Sequence, residues 1–342
     1  MLLLSDIRGQ NNAVRYLTKS ISSSRTASSY LFSGPEGVGR ASAAKAFVMT
    51  LICPNRVRAD DEVHRSQTTQ NGLTKVGPCG RCSACCRVNA LQHPDVTWIK
   101  PQNTGNIRID EIRAVRDTLN LKPYEAPVSA CVIEDAHMMT QEASNALLKV
   151  LEEPPGSSLL ILITSKRELL LETVVSRCTE VRFHPLSVSD TRSIIMGSLK
   201  DIGEEDAHFL SYFSQGSPGK ALAMIDEGVL ERKNDLVALL DSIVKEKDPS
   251  CLNWTKESKD LLLEDLEMLI MFFRDIALGK EALEEKVLDK DIIDTEMYDF
   301  FKKYPIEKIY DVVGRLINMK LALAGNVNPK LIAQALPGCL RY

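Results

Sequence analysis

The sequence predicts an α/β domain followed by all-α regions, and three observations predict it. Short apolar strands alternate with helical stretches as far as residue 184, a glycine-rich loop follows the first strand, and helical periodicity alone runs from Pro185 onward. Such alternation implies a parallel sheet covered by helices, because parallel neighbours need a long crossover between them. Apolar runs at Tyr30 to Phe32, Val96 to Ile99, Ala130 to Ile133, Leu159 to Ile163 and Val181 to Phe183 supply five strands, enough for one doubly wound sheet.

The other elements follow in chain order. A length of 342 residues exceeds one ordinary domain. Three are expected: 1–184 with the sheet, 185–228 as a compact three-helix unit, and 229–342 as a helical domain. Pro54 to Val76, rich in charge, Gln and Thr and lacking periodicity, reads as an inserted mobile loop. Ser187-Val188-Ser189-Asp190 reads as a helix N-cap. Leu261 to Leu278 and Ile306 to Ala324 repeat apolar residues at three- and four-residue intervals, as amphipathic helices do. Such faces fill a helical core or dock on a partner.

Composition narrows the function. Hydrophobic content of 44% and charged content of 26% describe a globular chain, and a net charge of −4 offers no global attraction for nucleic acid. Any DNA contact has to be local or shared with partner chains. No run reaches membrane-spanning length. Met1-Leu2-Leu3-Leu4, followed by Ser5, Asp6 and Arg8, lacks the length and basic start of a signal peptide. A cytoplasmic chain without a membrane partner is expected.

Gly34-Pro-Glu-Gly37-Val-Gly39-Arg40-Ala41 follows a strand and precedes a helix expected from near Ser42, the setting of a phosphate-binding loop. Its glycines let backbone N–H groups crowd round phosphate oxygens at a helix N-terminus. The two side chains that do the chemistry differ from the usual pattern: Arg40 replaces lysine, and Ala41 replaces the Ser or Thr that holds magnesium. Arginine binds phosphate but does not place a compact ammonium between the last two phosphates. Ser42 lies one residue on, about 100° round the helix, and needs a shifted backbone to substitute. A relic loop and weak ATP or ADP binding both remain open. At the end of the third strand, Glu134-Asp135 presents two carboxylates in the reverse of the order an ATPase uses for its metal shell and its water. Capping of the next helix at Thr140 or Gln141 explains them equally well.

Cys79-Gly80-Arg-Cys82-Ser-Ala-Cys85 places three thiols at knuckle spacing, a pattern for structural zinc in a cytosolic chain. The fourth ligand is assigned to Cys53, with Cys86 and His93 as alternatives, giving a module spanning about 53–86. Cys131, Cys178, Cys251 and Cys339 read as buried or incidental.

The phosphate loop, this knuckle, His93-Pro94-Asp95, and Asn145-Ala-Leu-Leu-Lys-Val-Leu-Glu-Glu-Pro-Pro155 together resemble the clamp-loader branch of the AAA+ family. Thr164-Ser165 is similar to its sensor-1 position, Ser176-Arg177-Cys178 to its Ser-Arg-Cys signature, and Gly216-Ser-Pro-Gly-Lys220-Ala221 to its sensor-2 helix start, with Lys220 where arginine is frequent. Asn326-Val-Asn-Pro-Lys-Leu331 is similar to the last collar helix. The resemblance implies an AAA+ P-loop domain, a helical lid at 185–228 and a helical collar at 229–342. It further implies that Arg177, flanked by Ser176 and Cys178, acts as an arginine finger in trans on ATP held by a neighbouring motor subunit. The degenerate nucleotide site would comprise Gly34, Gly37, Gly39, Arg40, Ser42, Glu134, Asp135, Thr164 and Lys220. The implied partners are gamma- or tau-type motor subunits and a delta subunit in a hetero-oligomeric ring, with a sliding clamp and primer-template DNA reached through the complex. A motor-type ATPase that tolerates Arg40, and a zinc-containing DNA-binding module outside replication, are the competing functions.

Overall fold

The computed structural model describes residues 3–56, 76–101, 105–199, 201–244, 258–280, 300–301 and 303–340. Most of the inserted loop expected between Pro54 and Val76, and Cys251 with it, lie outside the described residues. Contacts divide the chain into two compact units, one of residues 1–190 with Ser217–Gly219 and one of residues 191–216 with 220–342.

The first unit holds one parallel sheet. Strands β1 (Ser29–Ser33), β2 (Val96–Ile99), β3 (Ser129–Ile133), β4 (Ser158–Thr164) and β5 (Thr179–Arg182) lie in the order β2-β3-β4-β1-β5. Every neighbouring pair is parallel. The fifth strand starts earlier than its apolar run suggests, because Thr179 pairs with Tyr30 and Arg182 with Ser33. Phe183 therefore lies just past the strand; its N–H still donates to the Ser33 carbonyl at 2.8 Å, and its ring sits 5.3 Å from that of Phe32.

Helices cover both faces, which is why β4 reads as an unbroken apolar run rather than an alternation. The helices are α1 (Asn11–Ser22), α2 (Arg40–Ile52), α3 (Ser83–Asn89), α4 (Ile109–Asn120), α5 (Gln141–Glu152) and α6 (Glu172–Val175). One face of the sheet sends Leu31, Cys131, Ile133, Leu160 and Leu162 into a core shared with Ile112 and Val115 of α4 and Leu147 of α5. These positions alternate along each strand, as pleating requires. On β1 the intervening residues Tyr30 and Phe32 form edge-to-face aromatic contacts, Tyr30 also with Phe47 of α2. Thr140 caps α5 with its own side chain, accepting from the Ala143 N–H at 3.2 Å, so Glu134 and Asp135 are not needed as caps there.

The second unit holds helices and no strand among its described residues. It takes in α7 (Val188–Ser198) from Thr191, then α8 (Glu204–Phe213), α9 (Pro218–Asp226) from Lys220, α10 (Val229–Val244), α11 (Lys259–Lys280), α12 (Ile306–Ala324) and α13 (Pro329–Leu340). Helices α11 and α12 are the two amphipathic segments expected from sequence. Their apolar faces fill an internal core with Leu266, Leu269, Phe272, Phe273, Ile309 and Leu316. A partly buried ion pair, Arg232 Nη2 to Asp265 Oδ2 at 2.6 Å, ties α10 to α11. At the start of α7, Ser187 accepts from the Asp190 N–H at 3.0 Å, the cap its sequence signals. No described helix is long and apolar enough to cross a membrane.

Candidate nucleotide and metal sites

The carboxyl end of β1 runs into the phosphate loop. Gly34 has φ +141°, and a Cβ there would lie 2.2 Å from the Phe183 carbonyl oxygen, so only glycine fits. Gly37 and Gly39 also have positive φ. Helix α2 begins at Arg40, two residues before the expected start, with Gly39 as a left-handed cap that offers no side-chain acceptor. The first N–H groups of α2 are thus left for an anion. Ser217–Gly219 packs on the outside of the loop: the Ser217 hydroxyl donates to the Glu36 carbonyl at 2.7 Å and the Gly219 N–H to the Gly37 carbonyl at 2.9 Å.

Arg40 is 6% exposed, and its Nη1 has no hydrogen-bond partner among the described residues. Burial pushes its pKa down, opposed first by the charge of Asp135 and then by Glu36 and Glu134. The guanidinium is thus buried within the influence of three carboxylate charges, with Nη1 unpaired among the described residues. Ala41 offers no metal ligand, and Ser42 follows it, half-buried on α2.

Glu134 is occupied. Its Oε1 accepts from Trp98 Nε1 at 2.7 Å and lies 3.1 Å from Lys100 Nζ. Both partners come from the β2 side, where Trp98 pairs with Val132 and Ile99 with Ile133. Asp135 adopts a left-handed conformation at φ 47°, unusual for a residue with a side chain. Thr164, wholly buried at the end of β4, has its Oγ1 3.2 Å from His137 Nδ1 and accepts from the Lys166 N–H at 3.1 Å. Burial holds the His137 pKa below its ordinary value, with Asp135 pulling the other way. Lys220 stands on α9 in the second unit, where its charge is felt by Glu264. The sequence-level list missed Trp98, Lys100 and His137. Only the adjacency of β2 and β3, which no local pattern reveals, brings the first two to Glu134.

At the other end of the sheet, Cys53 follows α2 and meets the knuckle. Ligand atoms of Cys53, Cys79, Cys82 and Cys85 all lie within 4.8 Å of one another, and the Cys53 and Cys82 sulfurs are 3.9 Å apart. Tetrahedral ligation at a metal–sulfur distance of about 2.3 Å puts sulfurs about 3.8 Å apart, so the set fits a four-coordinate thiophilic ion. Gly80, at φ 71°, makes the turn. The Cys79 thiol is pushed down to about 6, chiefly by the Arg81 N–H, whereas burial raises Cys53 and Cys85. Neither alternative ligand lies in this four-thiol group. Cys86 is exposed, and His93 Nδ1 accepts from the Asp95 N–H at 3.1 Å while its Nε2 lies 3.1 Å from Glu125 Oε1.

Asp95 organises the rest of this end. Its carboxylate accepts from the N–H groups of Tyr124, Glu125 and Ala126 at 2.6, 3.0 and 2.9 Å. Burial raises its pKa, but these three bonds outweigh it and leave the value below normal. Ser176-Arg177-Cys178 lies between α6 and β5, also at the amino end of the strands. Ser176 donates to the Thr173 carbonyl at 3.2 Å, and burial pushes the Cys178 thiol up to about 12. Arg177 is partly exposed and held: Nη1 donates to the Thr173 carbonyl at 3.0 Å and Nη2 lies 2.8 Å from Glu152 Oε1.

Comparison with known proteins identifies the family. Residues 9–187 match the family described as "DNA polymerase III, delta subunit". The chain is 24% identical over 329 residues to DNA polymerase III subunit delta' of Bacillus subtilis, covering 93% of this chain and 92% of that one. It is 28% identical over 242 residues to the delta' subunit of Pseudomonas aeruginosa, covering 70% and 69%. It is also 27% identical over 337 residues to subunit tau of Bacillus subtilis, covering 91% of this chain but only 56% of tau. Among solved structures, a gamma subunit-related protein of Thermotoga maritima aligns over 95% of this chain and 98% of its own, at a TM-score of 0.39 and 18% identity. With the parallel five-stranded sheet, the phosphate loop and the matched family spanning more than half of its residues, the chain belongs to the DNA polymerase III delta subunit family of clamp-loader proteins.

Proposed function

We propose that the chain is a delta-prime-like subunit of a bacterial DNA polymerase III clamp loader, largely inactive as an ATPase itself, that supplies Arg177 in trans to the neighbouring gamma- or tau-type motor subunit. The observation that carries this is the contrast between a nucleotide site that lacks the loop hydroxyl for magnesium and has Glu134 engaged elsewhere, and an oriented, partly exposed Arg177. Ala41 cannot hold magnesium, Glu134 is taken by Trp98 and Lys100, and Arg40 replaces the ammonium. The glycine loop, Ser42, Asp135 and Thr164 retain at most weak ATP or ADP binding. An arginine brought to a transferring phosphoryl group stabilises the charge that develops there.

In this function Cys53, Cys79, Cys82 and Cys85 hold a structural zinc ion, whose chemistry is confined to cross-linking the end of α2 to the knuckle. Residues 185–228 serve as a lid and 229–342 as a collar in a hetero-oligomeric ring with motor and delta subunits. The sliding clamp and primer-template DNA are engaged through that complex in the cytoplasm.

The test is reconstitution with cognate motor and delta-type subunits, followed by ATP turnover measurement with wild-type and Arg177→Ala chains. Turnover is expected to fall about tenfold or more at unchanged assembly. Equal turnover at full incorporation would overturn the arginine-donating function. The match to tau across 91% of the chain favours one alternative, a motor-type clamp-loader ATPase. That alternative requires steady ATP turnover by the isolated chain.

A further inference from the structure

We infer that Glu152 is a positioning residue for Arg177, an inference that rests on the arginine-donating function proposed above. Glu152 is the last residue of α5, and its Oε1 lies 2.8 Å from Arg177 Nη2. Nη1 of the same guanidinium donates to the Thr173 carbonyl at 3.0 Å and lies 3.5 Å from Ser176 Oγ. The planar fork is thus gripped on both terminal nitrogens from two elements, α5 and α6. Its backbone is fixed as well, because the Arg177 N–H donates to the Val174 carbonyl at 3.2 Å.

An exposed ion pair contributes little to stability. Its consequence here is orientational. A free arginine side chain samples many rotamers, and ordering it at the moment of reaction costs free energy that a pre-oriented side chain does not spend. Arginine has five N–H donors. The three contacts engage Nη1 and Nη2 only, and the side chain remains 37% exposed, so a second anion can approach while Glu152 stays in place. Thr173 and Ser176 alone cannot do this, since both lie on the same short helical turn as Arg177 and move with it. Glu152 belongs to a different helix, packed against α6, and so references the guanidinium to the body of the domain.

The experiment uses the reconstituted complex with Glu152→Ala and Glu152→Gln, alone and with Arg177→Ala. Glutamine keeps an acceptor at the same reach, so Glu152→Gln is expected to retain turnover within about twofold, while Glu152→Ala lowers turnover at saturating ATP by about three- to tenfold. The KM for ATP and the assembly affinity stay unchanged. In the Arg177→Ala background, Glu152→Ala is expected to have no further effect. Faster turnover in both single variants would overturn the proposal by showing that Glu152 restrains the arginine instead. Additive losses in the double variant, or unchanged turnover with Glu152→Ala while Arg177→Ala remains defective, would also overturn it. No effect of Arg177→Ala would instead sink the underlying function.

Discussion

The two ends of the sheet have had different chemical fates. At the carboxyl end, the phosphate loop keeps its backbone: Gly34, Gly37 and Gly39 hold positive φ and the first turn of α2 is open. Of its side chains, Ala41 offers no metal ligand and Glu134 is held by Trp98 and Lys100. At the amino end, side chains rather than backbone define the arrangement. Four cysteines converge, Asp95 gathers three N–H groups, and Glu152 holds Arg177. Helix α2 connects the two ends, about 20 Å long at 1.5 Å per residue. A loop shape set by glycine conformations does not depend on the side chains beside it, whereas a ligand cluster needs every member present.

The sharpest way to break this comparison is at the cysteines. Structural zinc supplies on the order of 10 kcal/mol in small domains. Chelation, or Cys82→Ser, is therefore expected to lower the melting temperature by about 10 °C or more. Metal content and thermal melting measured on the same samples check this, and an unchanged melt in a metal-free sample would place the stability of the amino end elsewhere.

A smaller effect is expected at Asp95. Replacing it by Asn should cost about 1–3 kcal/mol, since three N–H groups lose a charged acceptor. Because the native pKa of Asp95 is depressed, its contribution is present above the unfolded value and is lost as pH falls through the lower native value. Acid titration of urea stability should therefore be flatter below about pH 4 in Asp95→Asn than in wild type. Parallel acid limbs would show that the three bonds do not depress the carboxyl.

The smallest effect belongs to the carboxyl end. Restoring the loop with Arg40→Lys and Ala41→Thr is expected to leave ATP turnover of the isolated chain within about tenfold of wild type, because the metal also needs a free carboxylate. Adding Trp98→Phe and Lys100→Met should release Glu134. Efficient turnover from the loop changes alone would show that Glu134 is not restrained by its neighbours.

Much of this was legible in the residues. Four of the five strands fall at or within a residue of their apolar runs, and α12 matches Ile306 to Ala324 end for end. The loop and the knuckle were visible because glycine and cysteine at fixed spacing have few other uses. The start of α2 and the bounds of β5 were less legible. Gly39 caps α2 through its backbone, and β5 is fixed by pairing with β1 rather than by its own hydrophobicity.

The sequence by itself determined the strands, the helices, the phosphate loop with its altered side chains and three of the four clustered thiols, because each rests on periodicity or spacing within a short stretch. Tertiary structure decided the rest. The order β2-β3-β4-β1-β5 put Trp98 and Lys100 on Glu134, the length of α2 carried Cys53 to the knuckle, and the packing of α5 beside α6 brought Glu152 to Arg177. These contacts join residues 25 to 36 positions apart. Local pattern fixes the conformation of each segment, but which segments become neighbours is settled only when the whole sheet buries its two faces.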